Sequence, residues 1–135
     1  MKVFAVIDTN VIVSALLTRN PEAATVKILE TLFQGRIIPL LSDDIINEYT
    51  DVLHRPKFRF PEELANSVIL AIKHRSIRPG RTHSEEVFPD PKDAVFYEVA
   101  LSKDDAYLIT GNIKHFPRTP IVVTPAEMLE ILERV

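Results

Sequence analysis

The side chains in this sequence that could do chemistry are carboxylates at the ends of apolar runs. Asp8 ends the run VFAVI, so a charge stands where a strand buried on both faces would finish. Three further stretches carry acids or an amide: SDDIINEYTDVL with Glu48, FPDPKDAVFYEVA with Asp90 and Asp93, and YLITGNIKHF with Asn112. A site built only from oxygen ligands selects Mg²⁺ or Mn²⁺. The acids therefore predict a divalent-metal site.

Several other chemistries are excluded by residue types and spacing. The chain has no cysteine, which excludes thiol catalysis, iron–sulfur ligation and cysteine-bound zinc. Its three glycines, Gly35, Gly80 and Gly111, cannot form GxGxxG or a P-loop. GxSxG is absent too, and the four histidines never approach the HExxH spacing.

The elements that must position these acids alternate between strands and helices. Short apolar runs predict strands at 3–7, 36–41, 107–110 and 121–124. Helical spacing predicts helices at 22–34, 43–54, 62–75, 92–102 and 126–134. A proline stands where four of these helices would start, namely Pro21, Pro61, Pro91 and Pro125. This alternation predicts an α/β fold, a three-layer α/β/α sandwich with a central parallel sheet.

In such a sheet, ligands bind outside the carboxyl ends of the strands, where this chain has its acids. We therefore expect Asp8, Glu48, Asp93 and Asn112 to converge on one crevice. Two carboxylates about 4 Å apart repel by roughly 4 kcal/mol at an effective dielectric of 20. A cluster of acids is thus tolerable only with cations or with raised pKa values.

Each of these residues also has a purely structural interpretation. Asp8 could cap the helix after the first strand, and Asp90 before Pro91 is a strong N-cap signal with Asp93 at the capping-box position. Glu48 could be a solvated helix residue, and Asn112 after Gly111 a turn residue. Ser42 is expected to cap its helix, with Asp43 and Asp44 complementing the helix dipole.

The net charge of −3 hides a basic segment. Between His54 and His83 there are seven Lys or Arg against two acids, whereas the remainder carries −8. A basic segment attracts nucleic-acid phosphates, and Phe58 and Phe60 alternate with cations as in a platform that stacks single-stranded bases. The candidate RNA-binding cations are Arg55, Lys57, Arg59, Lys73 and Arg75. The alternative is a solvated helix pair whose phenylalanines enter the core.

Length and composition predict one domain over residues 1–135, large enough to fold without a disulfide or structural metal. The sequence has no apolar run near eighteen residues and no pattern of a secretory leader. We therefore expect no membrane association. The absence of cysteine suits a reducing compartment, and a cytoplasmic location is the expectation.

The chain resembles the PIN-domain ribonucleases, especially the VapC-like toxins of toxin–antitoxin modules. The opening DTNVIVSAL, then SDDIINEYTDVLHRPKF, and finally DPKDAVFYEVALSKDDAYLITGNIKHF are similar to successive family motifs, so the resemblance covers essentially the whole chain. By this similarity Asp8, Glu48 and Asp93 match metal-binding acids, and Thr110 matches a hydroxyl residue before the last acid. Asn112 occupies the position of that acid, where TGN replaces the usual TGD.

The resemblance implies a Mg²⁺- or Mn²⁺-dependent endonuclease that cleaves single-stranded RNA. Hydrogen bonds from Thr9, Asn10 and Thr110 would orient the residues that bind the metal. Asp90 is near enough in sequence to substitute for the missing acid. It also implies a homodimer and a cognate antitoxin whose tail covers the active site. Two alternatives stay open: a catalytically silent PIN-like interaction or RNA-binding module, and an acidic-pocket phosphohydrolase. The second is weakened because Asp-x-Asp is replaced here by Asp8-Thr9-Asn10.

Overall fold

A four-stranded parallel sheet forms the centre of the computed structural model, which describes residues 2–135. Its strands are β1 (Val3–Ile7), β2 (Ile37–Pro39), β3 (Ala106–Ile109) and β4 (Val122–Val123), in the spatial order β2-β1-β3-β4. In β1, Ala5 is opposite Pro39 of β2 and Tyr107 of β3. All three pairings are parallel, so the carboxyl ends of the strands meet at one edge of the sheet.

Within residues 2–135, six α-helices pack around the sheet. They are α1 (Thr9–Leu17), α2 (Ala24–Phe33), α3 (Asp43–Leu53), α4 (Glu62–Arg75), α5 (Ala94–Leu101) and α6 (Pro125–Arg134). Short 3-10 helices lie at Pro56–Phe58, Pro91–Asp93 and Ile113–His115. No helix within residues 2–135 has the length and apolar character needed to cross a membrane.

The sheet order explains where a ligand site can form. The chain moves from β1 to β2 on one side and then crosses back to β3 on the other. Right-handed crossovers in opposite directions place their helices on opposite faces of the sheet, so α2, which packs on β2, and α5, which packs on β1 and β3, lie on opposite sides. The strand order reverses between β1 and β3, and a crevice opens at such a point outside the carboxyl ends. The predicted α/β fold with a central parallel sheet is confirmed.

The helix α1 is absent from the predicted elements. Its sequence TNVIVSALL is rich in β-branched residues, which lowers helix propensity, and four of its residues are buried. Burial against the rest of the core outweighs this local preference. Propensity therefore misses α1, although its position directly after Asp8 decides how that carboxylate is used.

Other predicted boundaries shift by a few residues. The helix predicted at 22–34 begins at Ala24, because Pro21 and Glu22 form a turn instead of the first helical turn. The helix predicted at 92–102 divides into the 3-10 turn Pro91–Asp93 and α5. Leu40 lies outside β2 and forms an isolated bridge with Ile77.

One buried hydrogen bond fixes α3 against the functional edge of the sheet. The hydroxyl of Tyr49, which is 1% exposed, donates to the backbone oxygen of Ile7 at 2.5 Å. Ile7 is the last residue of β1 and immediately precedes Asp8. The contact therefore holds the middle of α3 beside the end of the central strand.

Candidate active site

Asp8 lies where β1 ends and α1 begins, and its carboxylate is buried, with the residue 7% exposed. Its Oδ2 accepts hydrogen bonds from Thr110 Oγ1 at 2.8 Å and from Asn10 Nδ2 at 3.0 Å. Although Asp8 occupies the N-cap position, its side chain makes no capping hydrogen bond to α1. The carboxylate is therefore held by side chains at the crevice rather than used to start the helix.

Thr110 fixes two parts of the crevice with one hydroxyl. This residue follows β3 and is completely buried. Its Oγ1 donates to Asp8 and accepts from the backbone N–H of Asn112 at 2.9 Å. The loop after β3 is thereby tied to the Asp8 carboxylate. The supporting role of Thr110 at a metal site stays a prediction, and this hydroxyl is the contact through which it would act.

The Asp8 carboxylate has an unfavourable environment for a charge. Burial raises its pKa above the ordinary value, and the hydrogen bond from Thr110 opposes this only in part. Within residues 2–135, no Lys or Arg forms an ion pair with it. A buried carboxylate of this kind is suited to holding a cation.

A second carboxylate, that of Asp93, lies close enough to be affected by the charge of Asp8. Burial raises the pKa of Asp93 to about 6, and the charges of Asp8 and Asp90 add to this effect. His115 opposes the shift, with its Nδ1 3.5 Å from Asp93 Oδ2. Asp93 thus faces the crevice instead of forming a capping box, whereas Asp90 does cap the 3-10 turn by accepting from the Lys92 N–H at 3.0 Å.

The other two predicted ligands, Glu48 and Asn112, line two different cavities. Glu48 is half-buried on α3 and lines a cavity between α3 and α5. Asn112 is exposed, and it lines a different cavity together with His115. In the part of the chain that the structure describes, no three His, Asp or Glu side chains are grouped closely enough to hold a metal. Of the four predicted ligands, Asp8 and Asp93 are the pair in which the charge of one residue raises the pKa of the other.

The two residues after Asp8 differ in what they do. Asn10 donates to the Asp8 carboxylate, and its Oδ1 accepts from the Gly111 N–H at 3.4 Å. Thr9 is also buried, but its hydroxyl has no hydrogen-bond partner within residues 2–135. Asn10 therefore supports Asp8 directly, and Thr9 Oγ1 is an unsatisfied polar atom beside the crevice.

Two residues near the site, His115 and Glu98, are not among those that the sequence predicts. Metal-site spacings along the chain indicate no histidine, whereas His115 reaches Asp93 from the 3-10 turn Ile113–His115. Its position in the stretch YLITGNIKHF, three residues after Asn112, was the available signal. Glu98 is 4% exposed and pairs with Arg81, which the sequence places on no predicted element.

The five predicted RNA-binding cations are all exposed, on or next to the C-terminal parts of α3 and α4. Arg55 pairs with Asp51 at 2.9 Å, and the Arg75 guanidinium lies 5.6 Å from the centre of the Phe33 ring. The rings of Phe58 and Phe60 stack with centres 5.6 Å apart, and both pack against the core. The basic segment is thus solvated, while its phenylalanines are half-buried.

The raised pKa of Asp93 predicts how stability depends on pH. A folded-state pKa of about 6 against an ordinary 3.8 means that the folded protein holds this proton more tightly. The stabilisation that protonated Asp93 gives the folded protein is therefore fully present below the ordinary pKa. It is lost as pH rises to the pKa of the folded state. After allowance for partial exposure of the carboxylate, we expect the free energy of unfolding to fall by about 1 kcal/mol between about pH 4 and pH 6. Urea unfolding of the parent and Asp93→Asn would measure this, and equal pH slopes in the two proteins would contradict it.

Comparison with known proteins identifies the class of this domain. The PIN-domain family matches residues 5–114, and the chain belongs to this family. PIN domains are generally nucleases, and PIN nucleases usually use divalent metals. An uncharacterized protein of Methanocaldococcus jannaschii is 32% identical over 117 residues, which are 83% of this chain and 72% of that protein. No solved structure matches the chain.

Proposed function

We propose that this protein is a Mg²⁺- or Mn²⁺-dependent endoribonuclease that cleaves single-stranded RNA. The observation that carries the proposal is a pair of carboxylates, that of Asp8 at the carboxyl end of β1 and that of Asp93 at the start of α5. The charge of Asp8 contributes to the raised pKa of Asp93, and neither acid has a Lys or Arg ion-pair partner within residues 2–135. Two anions in such an environment fit a divalent cation, which would relieve their repulsion.

Each residue of the crevice has a part in this proposal. Asp8 and Asp93 would hold the metal, and Glu48 and Asn112 would complete its shell. Thr110 and Asn10 orient the Asp8 carboxylate, and His115 orients that of Asp93. When bound, the metal supplies Lewis-acid stabilisation of negative charge developing on phosphate oxygens. The cations Arg55, Lys57, Arg59, Lys73 and Arg75 would hold the RNA backbone electrostatically.

The biological setting that we propose is a toxin–antitoxin module. It rests on the resemblance to VapC-like toxins, and it includes a cytoplasmic homodimer and a cognate antitoxin. Co-expression of the protein with the product of a neighbouring small gene, followed by co-purification, would test this part separately. Failure to co-purify would contradict the proposed toxin–antitoxin module and would leave the proposed nuclease activity unaffected.

The nuclease is tested by incubating the purified protein with single-stranded RNA in Mn²⁺, in Mg²⁺ and in EDTA. We expect internal cleavage only with metal, and no cleavage of double-stranded DNA. A protein that binds RNA but cleaves none would instead favour the silent PIN-like module. The neutral Asn112 and the lack of three grouped His, Asp or Glu side chains in residues 2–135 favour that alternative.

Metal binding should stabilise the fold. A ligand at 100 times its dissociation constant adds about 2.7 kcal/mol, which corresponds to roughly 10 °C in a domain of this size. We therefore expect Mn²⁺ to raise the melting temperature of the parent but not of Asp93→Asn. Scanning calorimetry at constant ionic strength measures this. A shift of the same size in both proteins would place the metal elsewhere.

Asn112→Asp should tighten metal binding. The substitution adds a negative charge without changing side-chain size, and a gain of about 1.4 kcal/mol is tenfold in the dissociation constant. The rate of RNA cleavage should rise at limiting Mg²⁺ and change less at saturating Mg²⁺, because the substitution alters the fraction of protein that has metal bound. Asn20→Asp is the matched control, since it adds the same charge in the exposed segment after α1. Equal Mn²⁺ dissociation constants for Asn112→Asp and the parent would remove Asn112 from the site.

A further inference from the structure

A cavity of about 420 Å³ lies between α3 and α5, next to the acidic crevice. Three polar residues of α3 line it at the spacing i, i+3, i+4, which puts them on one face of the helix: Asp44, Asn47 and Glu48. The facing wall contains Lys92, the residue immediately before Asp93. The cavity therefore extends from the proposed metal ligands outward along α3.

The walls of the cavity combine apolar and polar groups in the way that small-molecule sites do. Val95 and Phe96 supply apolar surface from α5. Asp44, Asn47 and Arg81 supply hydrogen-bonding groups, and the volume lies in the range of ligand pockets. An apolar wall beside a few placed polar groups suits a planar heterocycle, whose faces are apolar and whose edge is polar.

Arg81 is held in place at this cavity by two acids. Its Nε donates to the buried carboxylate of Glu98 at 2.6 Å, and its Nη1 lies 3.6 Å from Asp44 Oδ2. The bond to Glu98 uses one of the five N–H groups of the guanidinium. The cavity thus presents N–H donors of Arg81 beside the acceptor oxygens of Asp44.

This order of donors and acceptors distinguishes the four RNA bases. The Watson–Crick edge of guanine has an acceptor, O6, followed by two donors, N1–H and N2–H₂, which match Arg81 and Asp44 in turn. Adenine offers a single donor group on that edge and no N1–H. Uracil has one donor between two acceptors, and the second acceptor would face the Asp44 carboxylate. Cytosine has one donor beside two acceptors.

We infer that this cavity binds a guanine nucleotide, with the base edge on Asp44 and Arg81 and the phosphate on Lys92. Within residues 2–135, Lys92 forms no ion pair, and its position before Asp93 leads the phosphate toward the crevice. The inference rests on the proposed function in one respect: in a ribonuclease, the cavity selects guanine next to the cleaved bond.

Mononucleotide binding tests the site without metal and without cleavage. The full-length protein in EDTA is titrated with 5′-GMP, 5′-IMP and 5′-AMP while backbone amide shifts are followed by NMR. We expect GMP to bind at least tenfold more tightly than AMP, with shifts at Asn47 and Val95. IMP lacks the N2 amino group and should lie between them. Equal affinities for GMP and AMP, or no binding of GMP, would overturn the inference.

Two neighbouring acids provide a matched pair of variants. Asp43 and Asp44 are both exposed, both lie in the first turn of α3 and both pair with an arginine, but of the two only Asp44 lines the cavity. Asp44→Asn should weaken GMP binding about tenfold and remove the preference over AMP, whereas Asp43→Asn should change neither. Equal losses in the two variants would mean that general electrostatics, not the cavity, governs binding. Lys92→Gln should weaken binding of GMP but not of guanosine.

Mapping the cleavage products of a mixed-sequence RNA separates this inference from the proposed function. Cleavage concentrated beside guanine in the parent, and dispersed in Asp44→Asn, supports both. Selective GMP binding without any RNA cleavage would end the nuclease proposal and leave the guanine site. Cleavage without base preference, in a protein that does not distinguish GMP from AMP, would end the guanine inference and leave the nuclease proposal.

Discussion

Replacing Asp8 by asparagine should lower the rate of RNA cleavage on the order of 1000-fold, equivalent to about 4 kcal/mol of activation free energy. Asp8 is the most buried of the predicted ligands, and Thr110 and Asn10 both hold its carboxylate. Asparagine keeps one oxygen for these hydrogen bonds but loses the negative charge that would hold the metal. Initial rates on a single-stranded RNA at fixed Mn²⁺ measure the effect.

The same substitution should leave the folded protein as stable as the parent or more stable. Burial raises the pKa of Asp8, so the ionised carboxylate is unfavourable in the folded state at neutral pH. The neutral amide removes that cost, and its oxygen can still accept from the Thr110 hydroxyl. Urea unfolding in EDTA at pH 7 measures this stability.

The control for Asp8→Asn is Asp51→Asn, which removes an exposed carboxylate of α3 paired with Arg55. An exposed ion pair contributes little, so rate and stability should stay near those of the parent. A strongly destabilised Asp8→Asn would instead show that the carboxylate serves the fold. Full activity in that variant would contradict the proposed metal site.

The sequence predicts the edge of the sheet at which the site forms because apolar runs end there in a polar residue. The run VFAVI followed by Asp8, and the run YLIT followed by Gly111 and Asn112, end on adjacent parallel strands. The carboxyl ends of such strands must meet. The contact between Thr110 and Asp8, 102 residues apart, follows from this topology.

The contacts of Asp93 are harder to predict from the sequence. The spacing of Asp90, Pro91 and Asp93 fits a capping box, but Asp90 caps the turn by accepting from the Lys92 N–H, and no capping box forms. The Asp93 side chain instead faces His115, because the turn Pro91–Asp93 is a 3-10 helix and α5 begins only at Ala94. Whether this turn is 3-10 or α-helical decides where the Asp93 carboxylate points. The spacing of apolar residues does not distinguish the two kinds of turn.

The pairing of Arg81 with Glu98, which holds Arg81 at the cavity, could not be predicted from local pattern. Residues 78–90 have no helix or strand, so no periodicity indicates which side chains turn inward. Glu98 lies in an apolar helix, where a buried acid requires a partner that only the folded chain identifies. The candidate guanine cavity depends on this tertiary pairing.

Glu98→Gln should destabilise the fold by about 2 to 3 kcal/mol at pH 7. Glu98 Oε1 accepts from Arg81 Nε at 2.6 Å, and Oε2 accepts from the Ser84 N–H at 2.7 Å. Whichever way a glutamine amide is turned, its NH₂ group must face one of these two donors. The variant therefore loses one buried hydrogen bond and removes the charge opposite Arg81.

The pH dependence of this contribution has the opposite sign to that of Asp93. Burial opposes ionisation of Glu98, but the Ser84 N–H and Arg81 together hold its pKa below the ordinary 4.5. Its contribution is therefore present above that value and is lost as pH falls through the lowered pKa. The gap in stability between parent and Glu98→Gln should accordingly narrow on acidification.

Glu130→Gln is the matched control, because Glu130 pairs with Arg134 across an exposed turn of α6 at 3.7 Å. Such a pair should change stability by less than about 0.5 kcal/mol. Hydrogen exchange locates the effect: the Ser84 amide should lose protection in Glu98→Gln, while amides of β1 should exchange only through global unfolding. Equal destabilisation by the two substitutions, or an unchanged Ser84 amide, would show that residues 81–84 are held by other contacts. In that case contacts other than the one to Glu98 would hold Arg81 at the cavity. The preference for GMP over AMP should then be unchanged in Glu98→Gln.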